Sequence, residues 1–318
     1  MTLSSSLTID MHATSSREFE LWQVDAFTSR RFEGNPAGVV LDADSLSDAE
    51  MQAIARELNN SETAFIMRAQ SPEHDLRIRY FSPRTEVPFC GHATIASHYV
   101  RSLVGNLGSH TVRQEALAGI IDVEVIRDGD AIRVSMRQLP PEFGPPLSDE
   151  IASRVARALG AEPSDLRDDC PVQVVSTAHS KILVGLRSRD VLIGLKPDPL
   201  ALTQLSREIG SNGYHVFVID AVEPGVLTTC RMFAPAIGVA EDPVTGNGNG
   251  PLGAFLVQHH LVDHPQNGAW SFRSAQGHCV SRPGIADVTV MIEDGRPARV
   301  HVSGTAVAVF TTTLRLNP

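Results

Sequence analysis

The 318-residue chain is poor in aromatic residues (5%), has only four cysteines, and carries fewer Lys and Arg (27) than Asp and Glu (37). Each shortage excludes something. With so few rings the core must be built from Val, Ile, Leu and Ala, and 42% hydrophobic against 20% charged residues is enough to build a sizeable one. A net charge of −10 without a basic block argues against nucleic acid or an anionic membrane as partner, while leaving room for a small anion held by backbone N–H groups or a few arginines. Cys90, Cys170, Cys230 and Cys279 lie far apart and form no CxxC pair. Neither a disulfide framework nor a zinc ribbon is therefore expected, and the pattern fits a reducing cytoplasm. No stretch approaches the ~20 consecutive apolar residues of a membrane span. The opening MTLSSSLTIDMHATSSREFE has neither a basic start nor an apolar run of signal length, and residues 1–18 are expected to be a disordered lead.

What is present is an internal echo. RYFSP at 79–83 returns as RMFAP at 231–235, and from Arg79 to Arg231 the offset is 152 residues. Upstream, IARELNN (54–60) is answered by LSREIGS (205–211), and the strand-like TAFIM (63–67) by HVFVI (215–219). Each Arg-containing strand leads through a loop into a Gly-rich helix start, FCGHATIASHYV in the first half and DPVTGNGNGPLGAFLV in the second. A repeat this long is a duplicated domain rather than a solenoid unit, whose period is roughly 20–50 residues. Short β-rich runs surround each helix start: FELWQVDAF, AGVVL, LRIRYF, GIIDVEV and AIRVSM, then PVQVV, KILVGL, YHVFVI, DVTVMI and RVHVSG. PPEFGPPLSDE, Pro-rich and apolar-poor, reads as a linker at 140–150. The expected organisation is a first domain over 19–139, completed by a strand at 305–318, and a second over 151–304. Both are α+β, with a ligand cleft between them.

Several residues could carry chemistry. Glu62, in NNSETAFIM, reads either as a solvated carboxylate at a strand end or as a general acid/base whose pKa is raised at a cleft mouth. His92 reads either as a packing residue or as a group presented at a helix N-terminus, where free N–H groups and the positive dipole end suit a carboxylate or enolate. Cys90 could be a thiolate activated by the same terminus, but the 152-residue offset lands on Asp242 rather than on a second thiol, so a two-thiol mechanism lacks its partner. Asp242, in AEDPVTGNGNGPLG, is either loop chemistry or a second acid facing His92. The match to GxGxxG at 248–253 lacks a clean preceding strand and a downstream acid, so no nicotinamide cofactor is expected. His259, His260 and His264 have no HExxH-type complement, and no metal site is expected there.

In order, GNPAGVV, SETAF, RYFSPRTEVPFCGHATIA and RMFAPAIGVAEDPVTGNGNGPLGAFL resemble the signature segments of the PhzF-like phenazine-biosynthesis proteins, which have the diaminopimelate-epimerase fold. The resemblance runs from about Phe19 to the C-terminus. It implies two similar domains, each a central helix wrapped by a mostly antiparallel sheet, with the active site in the cleft between, and a homodimer without metal or organic cofactor. It implies an isomerase of the trans-2,3-dihydro-3-hydroxyanthranilate type acting on a small anionic substrate. Glu62 matches the family's acid/base, and His92 and Asp242 its other active-site residues. Gly91, Ala93, Thr94, Thr245, Gly246 and Asn247 would surround the substrate's oxygens, largely through backbone N–H groups. Asn247 departs from the serine that follows the matching glycine in the phenazine enzymes. Two rivals stand beside this expectation: an amino-acid racemase or epimerase using Cys90, and a non-catalytic small-acid-binding protein.

Overall fold

The structure is a computed structural model and describes residues 17–220 and 224–316. Of the lead expected at 1–18, residues 1–16 lie outside the described residues, whereas Arg17 and Glu18 already belong to a strand.

The fold is α+β and mostly sheet, and its first half is a closed barrel. Strands Arg17–Ala26, Asn35–Val40, Glu62–Arg68, Leu76–Phe81, His110–Ala116, Gly119–Asp128, Ala131–Arg137 and Arg296–Leu316 pair in that order, and the last returns to the first. Closure leaves no unpaired edge in that ring. Helix Gly91–Val104 lies against strands all round the ring, among them Asn35–Val40, Ala131–Arg137 and Arg296–Leu316. A helix enclosed on so many sides must be apolar or small almost all round, and Ala93, Ile95, Ala96, Ser97 and Val100 are fully buried.

The strands show why the ring curls round that helix. In Glu62–Arg68, Ala64 and Ile66 point into the central core, while Phe65 and Met67 point outward to pack with Met51, Ile54 and Ala55 of helix Asp48–Leu58. The period of two gives each face its own partner. That outer helix opens on a capping box, Ser47 with Glu50, and stops at Asn59, whose φ of 52° turns the chain into the strand beginning at Glu62.

The second half repeats the plan as an open array. Strands Glu142–Pro146, Gln173–Ser176, Lys181–Gly185, Tyr214–Ile219, Val226–Ala234, Gly268–Gln276, Gly284–Glu293 and Arg296–Leu316 pair in sequence beside helix Gly246–Gln258. The strand Arg296–Leu316 thus serves both sheets, pairing with Gly284–Glu293 at one end and Arg17–Ala26 at the other. One core cluster is continuous across the two central helices, from Val24 and Ile95 to Leu252 and Phe255. Within residues 140–150, read as linker, Glu142–Pro146 is a strand paired with Gln173–Ser176, so the crossing segment is part of the sheet. Among the described residues no helix is long and apolar enough to cross a membrane.

The echo in the sequence is a physical device used twice. Arg79 makes a bidentate pair with Glu86, both bonds 2.8 Å, and lies over the ring of Phe81. Arg231 does the same with Glu241, at 2.9 and 2.7 Å, over Phe233. Each clasp ties a strand to the short strand that follows it, Glu86–Val87 or Val239–Asp242, directly before a central helix. The repeat fixes where each central helix starts.

Candidate active site

The two central helices begin at Gly91 and Gly246, and the groups expected to be functional gather there. Cys90 Sγ lies 3.4 Å from Glu62 Oε2 and 3.3 Å from His92 Nδ1, and His92 Nε2 lies 3.5 Å from Glu62 Oε2. Ser61 Oγ is 3.3 Å from His92 Nε2. Glu62 is the member open to solvent, its side chain 21% exposed, while Cys90 and His92 are buried. It lines a cavity of about 950 Å³, together with Asn60, Ser61 and Phe89 from the first half and His179, Lys181 and Glu241 from the second.

Burial sets the protonation states. It raises Glu62 to about 7, helped by the negative charge of Asp242, and lowers His92 to about 4. Burial also raises Asp242 to about 6, against the pull of hydrogen bonds from Thr245 and Asn35. The Cys90 thiol is pushed well above its ordinary value, first by burial and then by the Glu62 carboxylate. Near neutral pH the site therefore holds a neutral imidazole, a protonated thiol and a carboxyl group balanced between its two forms.

Two hydrogen-bond assemblies hold these groups in place. On one side Arg101 donates to His98 Nδ1 at 3.2 Å, and His98 Nε2 donates to Gln114 Oε1 at 2.9 Å. The Gln114 amide donates to Tyr80 at 2.6 Å, Tyr80 to Thr94 at 2.5 Å, and Thr94 to the Cys90 carbonyl at 2.7 Å. All donors run one way, which fixes His98 as the neutral Nε2–H tautomer and anchors the first turn of the helix. On the other side Asp242 accepts from Asn35 Nδ2 at 2.9 Å and from the Thr245 hydroxyl. Gln276 accepts from the Thr245 N–H at 3.2 Å and from Asn249 at 3.1 Å, and donates to the Asp242 carbonyl at 2.9 Å.

These bonds sort the residues expected to surround a substrate. The Thr94 N–H bonds the Cys90 carbonyl and its hydroxyl is committed to the relay. Thr245 spends its N–H on Gln276 and its hydroxyl on Asp242. Both threonines use these donors to hold the site together. Gly91, His92, Ala93, Gly246 and Asn247 occupy the first turns, where backbone N–H groups have no helical acceptor. The Ala93 methyl group lies in the core, so only its backbone can take part.

The glycines at 248–253 serve packing. A Cβ on Gly248 would lie 2.4 Å from His215 Nδ1, and one on Gly250 would lie 1.9 Å from Gln138 Oε1. Glu62, Cys90 and His92 also offer three ligand atoms within 4.8 Å of one another, a set that could hold a metal ion. The positive end of the helix at the same point disfavours a cation and favours an anion. His260 and His264 stack on each other beyond the end of the second central helix, with ring centroids 5.5 Å apart.

Sequence reasoning missed Asn35, Gln276 and Lys181. Asn35 lay in the quoted GNPAGVV segment without being singled out. Lys181 left a clearer signal, a lone charge heading the apolar run KILVG, every residue of which is buried.

Comparison with known proteins places this architecture. The family described as Phenazine biosynthesis-like protein (PhzC-PhzF) matches residues 24–312. The chain is 47% identical to the uncharacterized isomerase YddE of Escherichia coli K12 over 92% of its own length and 96% of that protein's. It is 33% identical to a trans-2,3-dihydro-3-hydroxyanthranilate isomerase of Pseudomonas fluorescens, covering 89% of this chain and 95% of that one. The crystal structure of a PhzF-family phenazine biosynthesis protein of Bacillus anthracis superposes with a TM-score of 0.84 at 29% identity, over 94% of this chain and 99% of that one. With a Glu–Cys–His cluster at the start of one buried helix, Asp242 just before the start of the other, and isomerases among its relatives, this chain belongs to the PhzC-PhzF, phenazine biosynthesis-like, protein family.

Proposed function

We propose that the protein is a cofactor-independent isomerase that moves a proton within a small unsaturated amino or hydroxy acid, of the trans-2,3-dihydro-3-hydroxyanthranilate type, in a cleft between its two halves. The observation that carries this reading is Glu62. It is a carboxyl group raised to about 7 that opens onto the cavity while its neighbours are buried. Such a group takes a proton from an activated carbon and returns it to another, because its two forms are close in free energy at working pH.

His92 and Asp242 orient the substrate's amino or hydroxyl groups. His92 acts as a neutral hydrogen-bond partner, since burial keeps it from charging above about pH 4. The unpaired N–H groups of the helix starts at Gly91 and Gly246 receive the oxygen on which negative charge develops. Water exclusion would let one carboxylate carry one proton without exchange. Conversion of trans-2,3-dihydro-3-hydroxyanthranilate, followed by NMR in D₂O, tests the reading. Turnover with little deuterium uptake supports it, and no turnover by the purified protein removes this substrate.

The pH profile is a second test. Glu62 must be ionised in the free enzyme to act as a base, so kcat/KM should rise with pH through an apparent pKa near 7 rather than near 4.5. Glu62 and Asp242 interact, so this limb belongs to the pair. Replacing Asp242 by Asn removes a negative neighbour that raises Glu62, and the limb should move to lower pH. A limb that stays in place would exclude this coupling.

The racemase reading keeps one observation in its favour, the contact between Cys90 and both Glu62 and His92. A nucleophilic or basic cysteine needs a thiolate, and this thiol is held protonated. Cys90→Ala is expected to keep activity within about 10-fold, since it removes only a buried neighbour of the base. Loss of activity to background in Cys90→Ala, with Glu62→Gln active, would reverse the assignment.

A further inference from the structure

Lys181 begins the strand Lys181–Gly185 and is only 7% exposed, an uncommon position for a lysine. Its side chain runs through a slot that the fold keeps open. A Cβ on Gly213 would lie 2.7 Å from Lys181 Cδ and 3.2 Å from Met232 Cε, so the stem passes against bare backbone at Gly213. Lys181 lines the cavity that Glu62 lines from the other half. Nζ donates to the carbonyl of its neighbour Ser180 at 3.2 Å, and among the described residues Lys181 forms no ion pair, Asp242 acting on it only from a distance. An ammonium has three donors, so two remain for whatever occupies the cavity. A buried cation without an ion-pair partner is costly unless an anion reaches it in the working state.

Resting on the isomerase reading above, we propose that Lys181 is a substrate-binding residue: it pairs with the permanent carboxylate of the substrate, and so selects acids over their neutral counterparts. The free N–H groups at the helix starts are then left for the oxygen where charge develops during the proton shift. A charge present throughout the reaction calls for a partner that binds ground state and transition state alike, which lowers KM rather than raising kcat. The surroundings suit this role. Burial lowers Lys181 to about 8, and Asp242 supports its charge, so the ammonium form dominates near neutral pH. His179 and His215, the other titratable neighbours, are themselves lowered by burial and stay neutral there.

The test is calorimetric titration at pH 7 of the full-length protein with anthranilate and with anthranilamide, which keeps the ring and amine but replaces the carboxylate by a neutral amide. The wild type is expected to bind the acid at least ~10-fold more tightly, the scale of one charge-assisted hydrogen bond. Lys181→Met should weaken the acid about 10- to 100-fold, leave the amide unchanged and abolish the preference. Lys181→Arg, which keeps the charge, should retain part of it. Glu62→Gln should keep the preference in full, so failure of the proton-transfer assignment would not be confused with failure of this one. A wild type without preference, or a folded Lys181→Met that keeps it, would overturn the proposal. If Lys181→Met does not fold, judged by its melting curve, the wild-type preference and its partial retention in Lys181→Arg decide.

Discussion

Glu62→Gln should lower kcat by at least ~10²-fold while changing KM little, because the amide keeps the shape of the carboxyl group and cannot exchange a proton. The size of the loss follows from what the site has arranged. Burial and the nearby Asp242 charge bring Glu62 to about 7 from an ordinary 4.5, at the price of holding a desolvated carboxylate. That cost gives a second, independent readout. A group whose folded-state pKa is raised contributes stability below its unfolded value and loses it as pH rises through the folded value. The wild type should therefore lose up to about 3 kcal/mol relative to Glu62→Gln between roughly pH 4.5 and 7, and the gap should then stay constant. Chemical denaturation of both proteins at pH 5 and pH 8 measures it. A variant more stable at pH 8 and nearly equal at pH 5 would show that catalytic poise and stability oppose each other here. A pH-independent difference would mean that Glu62 is not raised, and the base would have to be sought elsewhere.

Much of this site was legible in the sequence, and the reasons for the rest are physical. The helix starts at Gly91 and Gly246 stood out because glycine before an apolar run is a local signal. Arg79 and Arg231 stood out because the device they build is duplicated. Strand His110–Ala116, HTVRQEA, did not, because one of its inward positions is Gln114. That side chain is polar, for it carries the relay from His98 to Tyr80, and it breaks the alternation that marks a strand. Gln276 lies 34 residues from Asp242, whose carbonyl it binds, and Asn35 lies 207 residues from the same aspartate. No spacing rule connects such pairs, since only sheet pairing brings them together. The commitment of the Thr94 and Thr245 donors was hidden for a related reason, because a motif names a residue and the fold decides which of its bonds are already made.

The duplication also predicts an asymmetry. Arg79→Leu and Arg231→Leu remove the same clasp from the two halves, yet the second should cost far more. Arg231 is 8% exposed, and besides pairing with Glu241 it donates to the carbonyls of Leu192, Ile193 and Leu195, so it closes one end of helix Arg189–Gly194 as well. Its loss leaves Glu241 nearly buried without a partner and three carbonyls without that donor, for which about 3–5 kcal/mol is the usual scale. Arg79 spends its third bond on Asp48, an exposed residue of an outer helix, and solvent can replace that contact. Glu241 is followed immediately by Asp242, so the Arg231 variant should also lose activity, through misplacement of the second helix start, even where enough of it stays folded to assay. Equilibrium denaturation of the two variants, with kcat measured on the folded fraction of each, separates the effects. Equal losses of stability would show that the clasps are interchangeable, and that burial of the second adds nothing to its strength.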